Sequence, residues 1–511
     1  MSGEKQSPES LARERKGVED RLARAPTLSS GTVSLASGPT LDYRATCEYL
    51  PVHGKGFDSV REDSLAAVFV TAYEQEGVPA AQRPVCFAFN GGPGSCSLWL
   101  HLGALGPRRI VVPDDGSAAR PPYAVVDNPL TWLRHFDLVF IDPPHTGWSI
   151  AAGDDARKTV HSVDGDVAAF VDVIRDWLTR HRRWQSPLYL AGESYGTLRG
   201  AAITDALLAA DVGLAGVILV SCAMDKQVLS FDRKNDLPYA AFLPGYACVS
   251  QYHGLLRGSP GASPAAAREA AEAFVAEDYV AALHAGARLS ATARARIAKR
   301  LAELTGLPRA FVEEQNLRID AMSYFVEVLR HRGRQVGRLD ARATAPLAAK
   351  ATREAEFDPG TEASGPAYAM AGLDYYSNVL GVVETGRYEV LNWDALKSWD
   401  WNRGDAKGHR YCTTSDDLAR ALRRSPHLRV LVASGYYDLG TPYSASDWSL
   451  AQLDAPAEVL SRIEHHYYDA GHMMYTRQAD LEKLAGDLER WLDADRPGRP
   501  GTEAPDATHR R

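Results

Sequence analysis

Ser194 has the sequence surroundings that a nucleophilic hydroxyl requires. An apolar run over residues 187–191 leads into Gly-Glu-Ser-Tyr-Gly at residues 192–196, and a helix-like stretch follows over residues 198–208. A strand, Gly-x-Ser-x-Gly and a helix in this order are typical of a nucleophile elbow, in which small flanking residues allow a sharp turn. The serine then lies at a helix N-terminus, where negative charge is favoured. A chance match in a loop is the alternative, and the strand-to-helix context argues against it.

A serine nucleophile needs a general base, and the base needs a carboxylate that orients it. An apolar run over residues 428–433 is followed by Asp438, and another over residues 463–468 is followed by His472. We expect both side chains just beyond the C-terminal ends of their strands, where this architecture collects catalytic groups. Other candidates remain open: Asp447 and Asp469 for the acid, and His465 and His466 for the base.

A glycine-rich stretch follows an earlier apolar run at residues 84–89. It reads Asn-Gly-Gly-Pro-Gly-Ser at residues 90–95. Glycine lets the backbone approach a substrate closely, and a loop after an early strand is where enzymes with a nucleophile elbow place the second donor of an oxyanion hole. A plain turn is the alternative. Two glycine-rich motifs, each after a strand, favour an active site.

Strand-like apolar runs alternate with helical stripes along much of the chain. The predicted strands are residues 41–49, 66–73, 84–89, 137–141, 187–191, 215–220, 428–433 and 463–468, and amphipathic helices are predicted at residues 163–178 and 481–492. Strands that alternate with helices indicate an α/β fold, and near-continuous apolar runs indicate strands buried on both faces. The sequence therefore predicts an α/β-hydrolase fold, with a mostly parallel central sheet flanked by helices.

The alternation breaks between residues 225 and 419. Helical stretches are predicted there at residues 264–285, 291–305 and 308–332, without a clear central strand. We interpret this segment as a largely helical insertion, or cap, over one end of the sheet. The predicted organisation is a polar tail or short helix at residues 1–30, a core at residues 31–224 and 420–495, the cap between them, and a disordered tail at residues 496–511.

Charge and hydropathy exclude several classes of partner. The chain has 57 Lys and Arg against 65 Asp and Glu, a net charge of −8, which gives no electrostatic reason to expect nucleic acid. No apolar run approaches the roughly 20 residues of a membrane-spanning helix, and no apolar signal-peptide region follows the first residues. We therefore predict a cytoplasmic protein with no membrane partner.

The six cysteines are predicted to be buried free thiols rather than three disulfides, because several lie in apolar runs and no export signal is visible. They are Cys47, Cys86, Cys96, Cys222, Cys248 and Cys412. No Cys-x-x-Cys or His-x-x-x-His pair occurs, so no structural zinc is predicted, and no cofactor is expected.

Three motifs together resemble the serine carboxypeptidase family. They are residues 90–95, residues 192–196, and Ala-Gly-His-Met at residues 470–473, with weaker matches at Asn128-Pro129, Trp132 and Asp142-Pro143. The resemblance extends from residue 90 to residue 473 and is much poorer in the predicted cap. We expect a bacterial, cytoplasmic type of member, and the cytoplasmic part of this expectation depends on the absence of a visible signal peptide.

The resemblance implies roles for residues beside the nucleophile. The backbone amides of Gly92 and Tyr195 would form the oxyanion hole, and Asn90, Glu193 and the Gly91 amide would hold the C-terminal carboxylate of the substrate. A carboxyl group beside a bound carboxylate must be protonated, since two like charges cannot comfortably share the site. Binding should therefore favour acid pH. The alternative for Glu193 is a packed residue at the start of the helix.

Two positions depart from the family pattern. Thr197 stands where a second glycine commonly follows the elbow, and His145-Thr146-Gly147 stands where Gly-Thr-Gly is usual. His145 would add bulk, and charge when protonated, near the leaving residue, which leaves the substrate preference open.

The leading hypothesis is a serine-type carboxypeptidase that releases a C-terminal amino acid through an acyl-enzyme formed on Ser194. An acyltransferase or esterase that uses the same three residues is the alternative, since an acyl-enzyme can also be captured by an alcohol or amine. The expected substrate is a peptide or a small acyl compound. A non-catalytic binding protein on a hydrolase scaffold is a third hypothesis, disfavoured by the intact Ser, Asp and His.

Overall fold

Fourteen β-strands occur in the computed structural model, which describes residues 6–53, 64–350, 353–403 and 411–494. They are β1 (Thr27–Ser34), β2 (Thr40–Val52), β3 (Ala66–Gln75), β4 (Val85–Phe89), β5 (Arg108–Ile110), β6 (Val125–Asp127), β7 (Asp137–Ile141), β8 (Ile150–Ala151), β9 (Leu188–Glu193), β10 (Gly216–Val220), β11 (Arg334–Val336), β12 (Thr344–Pro346), β13 (Arg429–Gly435) and β14 (Ile463–Tyr468). The tail predicted at residues 496–511 lies outside the described residues.

Ten of these strands form one sheet, in the order β1-β2-β3-β7-β4-β9-β10-β13-β14, with β8 paired to β3. From β7 to β14 in this order, neighbouring strands are parallel. At the other end, β1, β2 and β3 are antiparallel. The strands β4, β7 and β10 are buried at every residue, as expected for parallel strands covered on both faces. The predicted mostly parallel sheet is confirmed.

Eighteen α-helices lie in the same described ranges. They are α1 (Pro8–Leu22), α2 (Leu98–Leu100), α3 (Asp154–Val160), α4 (Val163–Arg180), α5 (Tyr195–Ala209), α6 (Lys226–Leu229), α7 (Leu237–Tyr252), α8 (Pro264–Phe274), α9 (Val280–Ala285), α10 (Ala291–Thr305), α11 (Arg309–Glu314), α12 (Ala321–Glu327), α13 (Pro359–Asp374), α14 (Trp393–Ser398), α15 (Ser415–Arg424), α16 (Tyr443–Ala451), α17 (Ala457–Leu460) and α18 (Gln478–Asp493). None of them combines the length and apolar character needed to cross a bilayer.

Helices cover both faces of the sheet. On one face, α4, α5 and α15 contribute to a core cluster with the apolar side chains of the parallel strands. On the other face, α18 and α13 contribute to a second cluster. The predicted helical stripes explain this placement, because the apolar side of α4 buries Phe170 and Ile174, and that of α18 buries Leu484 and Leu488.

The helices from α7 to α12 surround an apolar cluster of their own, to which α16 also contributes. The helix α8 begins at Pro264, where Ser263 caps it by accepting a hydrogen bond from Ala266 N at 3.1 Å. The prediction of a single helix over residues 308–332 is wrong. It is divided into α11 and α12, because Asn316 and Leu317 adopt positive φ angles of 52° and 65° between them.

The cap boundaries drawn from the sequence also need correction. The helix α13 lies within residues 225–419 but packs into the core cluster beside the sheet. The predicted boundary at residue 420 falls inside α15, which packs against the core helix α5. Apolar periodicity indicates that a helix has a buried face, but it does not indicate which partner covers that face.

Of the two alternatives predicted for residues 1–30, a polar tail or a short helix, the described part has the helix, and the predicted boundary at residue 30 falls inside β1. The helix α1 has a cap at Ser7 and buries Val18. The strand β1 starts at Thr27 and pairs with β2, from Thr27 opposite Cys47 onwards. The sequence of β1 is mainly polar, so its pairing depends on backbone hydrogen bonds that leave little hydrophobic signal.

Candidate active site

Ser194 lies between β9 and α5 in a strained turn. Its φ and ψ are 62° and −128°, and its backbone N–H donates to Val220 O at 2.9 Å. A Cβ on Gly192 would lie 2.2 Å from Gly196 O, and a Cβ on Gly196 would lie 2.9 Å from Phe89 O. Larger residues would therefore clash on both sides of the turn. The predicted elbow is present, and such backbone strain commonly occurs at functional sites.

Asp438 and His472 lie together beyond the ends of β13 and β14. The distance from His472 Nδ1 to Asp438 Oδ2 is 2.7 Å. Asp438 also accepts hydrogen bonds from the Thr441 hydroxyl at 2.7 Å and the Gly440 N–H at 2.8 Å. Ser194 and His472 line the same cavity. This arrangement can orient the imidazole as a general base towards the serine.

The environment of His472 favours its charged form. Burial alone lowers the pKa of an imidazole, but the charge of Asp438 and its hydrogen bond outweigh burial, so the pKa of His472 is raised above 6.5. A carboxylate that stabilises imidazolium helps a histidine to accept a proton during the reaction.

The competing acid and base candidates make other contacts. His465 Nδ1 lies 2.9 Å from Asp447 Oδ1, so these two residues bond to each other. Asp469 accepts a hydrogen bond from the Tyr437 hydroxyl at 2.5 Å. His466 lies 3.5 Å from a carboxylate on its own strand. Of the pairs considered from the sequence, Asp438 and His472 are the pair that meets beside Ser194.

The glycine-rich loop touches the elbow backbone to backbone. A Cβ on Gly91 would lie 2.4 Å from Tyr195 N, so only glycine allows this approach. Gly92 follows with φ of 100°, in the region that favours glycine. Tyr195 is the first residue of α5, and an amide at that position has no acceptor inside its helix. The Tyr195 amide is thus available beside Ser194, and Gly92 lines the same cavity.

A segment at residues 388–393, here called the strap, fixes this loop from outside. Cys96 N donates to Val390 O at 3.1 Å, and Asn392 N donates to Gly94 O at 2.7 Å. Further along, Glu389 exchanges two backbone hydrogen bonds with Gly147. The strap therefore joins the glycine-rich loop to the loop after β7. No sequence pattern indicates the strap, because these contacts link residues about 240 to 300 positions apart.

Glu193, directly before the nucleophile, is buried and only 3% exposed. Burial raises the pKa of its carboxyl to about 7, although the charge of His472 and hydrogen bonds from Tyr475 and Asn90 act against the rise. The Tyr475 hydroxyl donates to Glu193 Oε2 at 2.7 Å. Glu193 lines the cavity together with Asn90 and Gly91. A neutral carboxyl group is therefore accessible near neutral pH and can donate a hydrogen bond to an anion.

A buried ion pair that no sequence pattern indicates supports Asn90 and the elbow. Arg199 Nε donates to Asp166 Oδ2 at 2.7 Å, and another guanidinium nitrogen of Arg199 donates to Asn90 O at 2.6 Å. The Tyr195 hydroxyl also donates to Asp166 Oδ2, at 3.1 Å. The pair thus ties together both sides of the candidate carboxylate site. One arginine on α5 gave no sequence signal of this role.

The two departures from the family pattern have different structural consequences. The Thr197 hydroxyl donates to Ser194 O at 2.7 Å and accepts from Ala223 N at 2.8 Å, so it braces the elbow. His145 is not among the residues that line the cavity. Its ring packs against His161, and burial lowers its pKa to about 3. The suggested charge near the leaving residue is therefore not supported.

The rest of the cavity wall is largely apolar. Its apolar side chains include Trp99 of α2, Leu391 and Trp393 of the strap, Leu396 of α14, and Met473 directly after His472. All six cysteines are buried and free, as predicted. Within the described ranges, no group of three or more His, Cys, Asp or Glu residues is arranged to hold a metal ion.

The fold and this cavity define an α/β-hydrolase in which Ser, Asp and His occur in the chain order of that fold. Residues 50–228 match the sequence model of the serine carboxypeptidase family. The matched segment includes both the glycine-rich loop and the elbow, so this part of the chain is similar to serine carboxypeptidases. The predicted resemblance is confirmed, while the bacterial and cytoplasmic assignments stay predictions.

Curated relatives are similar over parts of their length. A pheromone-processing carboxypeptidase KEX1 of Cryptococcus gattii is 31% identical over 131 residues, which are 25% of this chain and 18% of that protein. Serine carboxypeptidase-like 36 of Arabidopsis thaliana is 25% identical over 182 residues, or 34% of each chain. The chain thus matches about a fifth to a third of the length of these relatives.

The crystal structure of KEX1(delta)P, a prohormone-processing carboxypeptidase of Saccharomyces cerevisiae, has a similar fold. The TM-score is 0.56 at 14% identity, and the match covers 91% of this chain and 94% of that one. At this identity the likeness supports the fold, and the predicted α/β-hydrolase architecture is confirmed.

Proposed function

We propose that this protein is a serine-type carboxypeptidase that removes the C-terminal amino acid of a peptide. The observation that carries the proposal is the position of Glu193, a buried carboxyl group with a pKa of about 7, in the same cavity as Ser194 and His472. A general esterase needs no proton-bearing carboxyl next to its nucleophile. In an enzyme that recognises a free carboxylate, such a carboxyl group can donate a hydrogen bond to the substrate.

Acylation begins at Ser194. Its Oγ attacks the carbonyl carbon of the last peptide bond while His472 takes the hydroxyl proton, and Asp438 holds the imidazole in place. The amides of Gly92 and Tyr195 stabilise the oxyanion that develops. His472 then gives the proton to the leaving amino group, and the C–N bond breaks. Water, activated by the same histidine, hydrolyses the acyl-enzyme and regenerates Ser194.

The leaving residue is held by its carboxylate. Neutral Glu193 donates one hydrogen bond to it, and the Asn90 side chain and the Gly91 amide supply the others. Asn90 is positioned for this role, since its Oδ1 accepts from Leu100 N at 3.0 Å and its backbone O accepts from Arg199 at 2.6 Å. These donors are held in fixed positions, so the site itself, and not a mobile loop, recognises the free C-terminus.

The test compares an N-blocked dipeptide that has a free C-terminal carboxylate with the same dipeptide amidated at the C-terminus. We expect amino acid release from the free acid only, and its loss by a factor of about 10⁴ or more in Ser194→Ala. A matched control, Ser398→Ala, removes an exposed serine hydroxyl that bonds within α14 and does not line the cavity, and should keep full activity.

Two results would contradict the proposal. Equal cleavage of the amidated and free dipeptides would show that Glu193 and Asn90 do not recognise the C-terminal carboxylate. Acylated alcohols or amines as the products, without release of amino acids, would favour the acyltransferase alternative on the same three residues.

A further inference from the structure

The carboxyl group of Asp142, directly after β7, bonds to two segments that meet beside the active site. Its Oδ1 accepts a hydrogen bond from Ser97 N at 2.8 Å, and its Oδ2 accepts one from the Tyr388 hydroxyl at 2.9 Å. Ser97 lies two residues after the glycine-rich loop, and Tyr388 is the first residue of the strap. Asp142 is only 3% exposed and is not among the residues that line the cavity. One buried carboxyl group therefore joins the loop to the strap from outside the substrate site.

The loop after β7 is shaped around this carboxyl group. Gly147 has a φ of 53°, and a Cβ there would lie 1.9 Å from Asp142 Oδ2. A larger residue would therefore displace the oxygen that Tyr388 binds. The Asp142 backbone is also fixed, because its N donates to Phe69 O at 3.0 Å and its O accepts from the Ser149 hydroxyl at 2.8 Å. The carboxyl group is thus presented from a fixed position at the end of β7.

Hydrogen bonds, rather than a cation, balance the charge of Asp142. No ion pair between described residues includes it. Burial raises its pKa to about 6, and the bonds from Ser97 and Tyr388 act against the rise. The titratable groups near it are neutral at pH 7, because burial raises the pKa of each: Tyr376, Tyr388, Cys96 and Cys47. At neutral pH the ionised carboxylate therefore depends on two charge-assisted hydrogen bonds, which are stronger than neutral ones.

The turn that carries Gly92 is attached mainly at its far end. Ser95 N donates to Gly91 O at 3.1 Å and closes the turn around Gly92. Beyond this bond, the loop is held by its backbone contacts with the strap and by the bond from Ser97 to Asp142. Any loosening between the loop and the strap should therefore displace the Gly92 amide.

Asn90 has supports that do not depend on Asp142. Its side chain accepts from Leu100 N at 3.0 Å, and its backbone O accepts from Arg199 at 2.6 Å. The start of the loop should thus keep its place when the far end is loosened. The proposed oxyanion donor at Gly92 and the proposed carboxylate reader Asn90 should respond differently to a change at Asp142.

We propose that Asp142 is a positioning residue of the active site, whose carboxylate locks the glycine-rich loop to the strap and so places the Gly92 amide for the reaction at Ser194. This role rests on the proposed function, in which that amide stabilises the oxyanion. A displacement of about 1 Å can cost on the order of 10²-fold in rate, whereas substrate binding through Asn90 should persist. The expected signature is a loss of kcat with KM nearly unchanged.

The experiment compares Asp142→Ala with Asp142→Asn on an N-blocked dipeptide that has a free C-terminal carboxylate. Alanine removes both hydrogen bonds. Asparagine keeps an oxygen for Ser97 N, and its amide can donate to the Tyr388 oxygen. We expect kcat to fall by about 10²-fold in Asp142→Ala and KM to change by less than about twofold. Asparagine should restore most of the lost kcat.

Tyr388→Phe tests the bond to the strap alone, and it decides the question if Asp142→Ala does not fold. We expect kcat to fall by about tenfold, because the carboxylate still holds Ser97. The matched control, Tyr279→Phe, removes a buried hydroxyl that donates to Leu317 O at 2.6 Å inside the cap cluster. Urea unfolding should show that both variants are destabilised, but Tyr279→Phe should keep the wild-type kcat.

Reaction of Ser194 with a fluorophosphonate probe separates this proposal from the proposed function, because the probe needs no peptide. The labelling rate should fall in Asp142→Ala and in Tyr388→Phe as kcat does. If the wild-type protein cleaves no dipeptide, the carboxypeptidase proposal fails, while slower labelling of these variants still supports the role of Asp142.

Several results would overturn the role of Asp142. One is a wild-type labelling rate in folded Asp142→Ala or in Tyr388→Phe. Another is a rise in KM without a loss of kcat, which would indicate a role in substrate binding. Equal losses in Tyr388→Phe and Tyr279→Phe would mean that lower stability alone explains the effect. Asp142→Asn as slow as Asp142→Ala would show that the two hydrogen bonds do not position the loop.

Discussion

The Tyr475 hydroxyl donates a hydrogen bond to Glu193 Oε2 at 2.7 Å, and both side chains are buried. This contact lowers the pKa of Glu193, against the larger effect of burial, which raises it. Tyr475 lies three residues after His472, so the loop that carries the candidate base also affects the protonation of Glu193. The two functions of the site are therefore coupled through one short segment.

Tyr475→Phe should raise the pKa of Glu193 further, because the ionised carboxylate loses a hydrogen-bond donor. We expect the alkaline decline of peptide release to move to higher pH, and stability to fall by about 1–3 kcal/mol, because a buried carboxyl oxygen loses its partner. Profiles of kcat/KM against pH and denaturant unfolding measure both effects. An alkaline decline that stays in place would contradict the role of the contact.

The wild-type profile of kcat/KM should be bell-shaped with a maximum near neutral pH. On the acid side, His472 gains a proton as the pH falls below its raised pKa and can no longer act as a base. On the alkaline side, Glu193 ionises above its pKa of about 7 and repels the substrate carboxylate.

The matched control for this profile is an N-blocked amino acid ester, which has no free carboxylate. It should retain the acid limb, which belongs to His472, and lose the alkaline limb. The same alkaline limb for ester and peptide would assign it to a group other than Glu193.

Glu193→Gln should stabilise the protein at alkaline pH. Between pH 4.5 and about 7 the native state keeps a proton on Glu193 that the unfolded chain has released. The free energy of unfolding therefore falls as pH rises through this window, by at most about 3 kcal/mol. Glutamine does not titrate. The free energy of unfolding of the variant should therefore exceed that of the wild type by up to this amount at pH 8, and should show no such excess at pH 4.5. Urea unfolding at the two pH values is the measurement, and a difference independent of pH would contradict this origin.

Thr197→Val should lower both stability and kcat, whereas Thr197→Ser should preserve them. The valine variant removes the hydroxyl between Ser194 O and Ala223 N, so two buried polar groups lose a partner. We expect a loss of about 1–3 kcal/mol and slower acylation of Ser194 by a fluorophosphonate probe. Serine keeps the hydroxyl and serves as the control. Equal losses in both variants would indicate a packing role for the Thr197 methyl group.

The parts of the site that could be predicted from the sequence are short motifs whose position along the chain, directly after a strand, is sufficient to identify them. The elbow around Ser194 and the loop at Gly91 and Gly92 are short motifs that directly follow buried strands, so spacing alone places them. Asp438 and His472 each follow a strand in the chain order of this fold. Parallel strands that share an edge then bring them together.

The parts that the sequence did not predict depend on contacts between distant segments. Arg199 on α5 meets Asp166 on α4, and Tyr475 meets Glu193 from 282 positions away. The strand β1 gave no clear pattern, because alternating polar side chains on an edge strand resemble a loop. The fold class could therefore be predicted, while the cap boundaries and the groups that support Asn90 and Glu193 required the structure.

The strap also determines when the site can become complete during synthesis. The glycine-rich loop leaves the ribosome almost 300 residues before Val390 and Asn392, which hold it in place. The imidazole of His472 is made later still. Domains assemble progressively as the chain emerges, so a nascent chain that already displays Ser194 has neither a fixed oxyanion loop nor a base. The proposed peptidase activity would therefore be absent from the unfinished polypeptide and from every shortened product that ends before the strap.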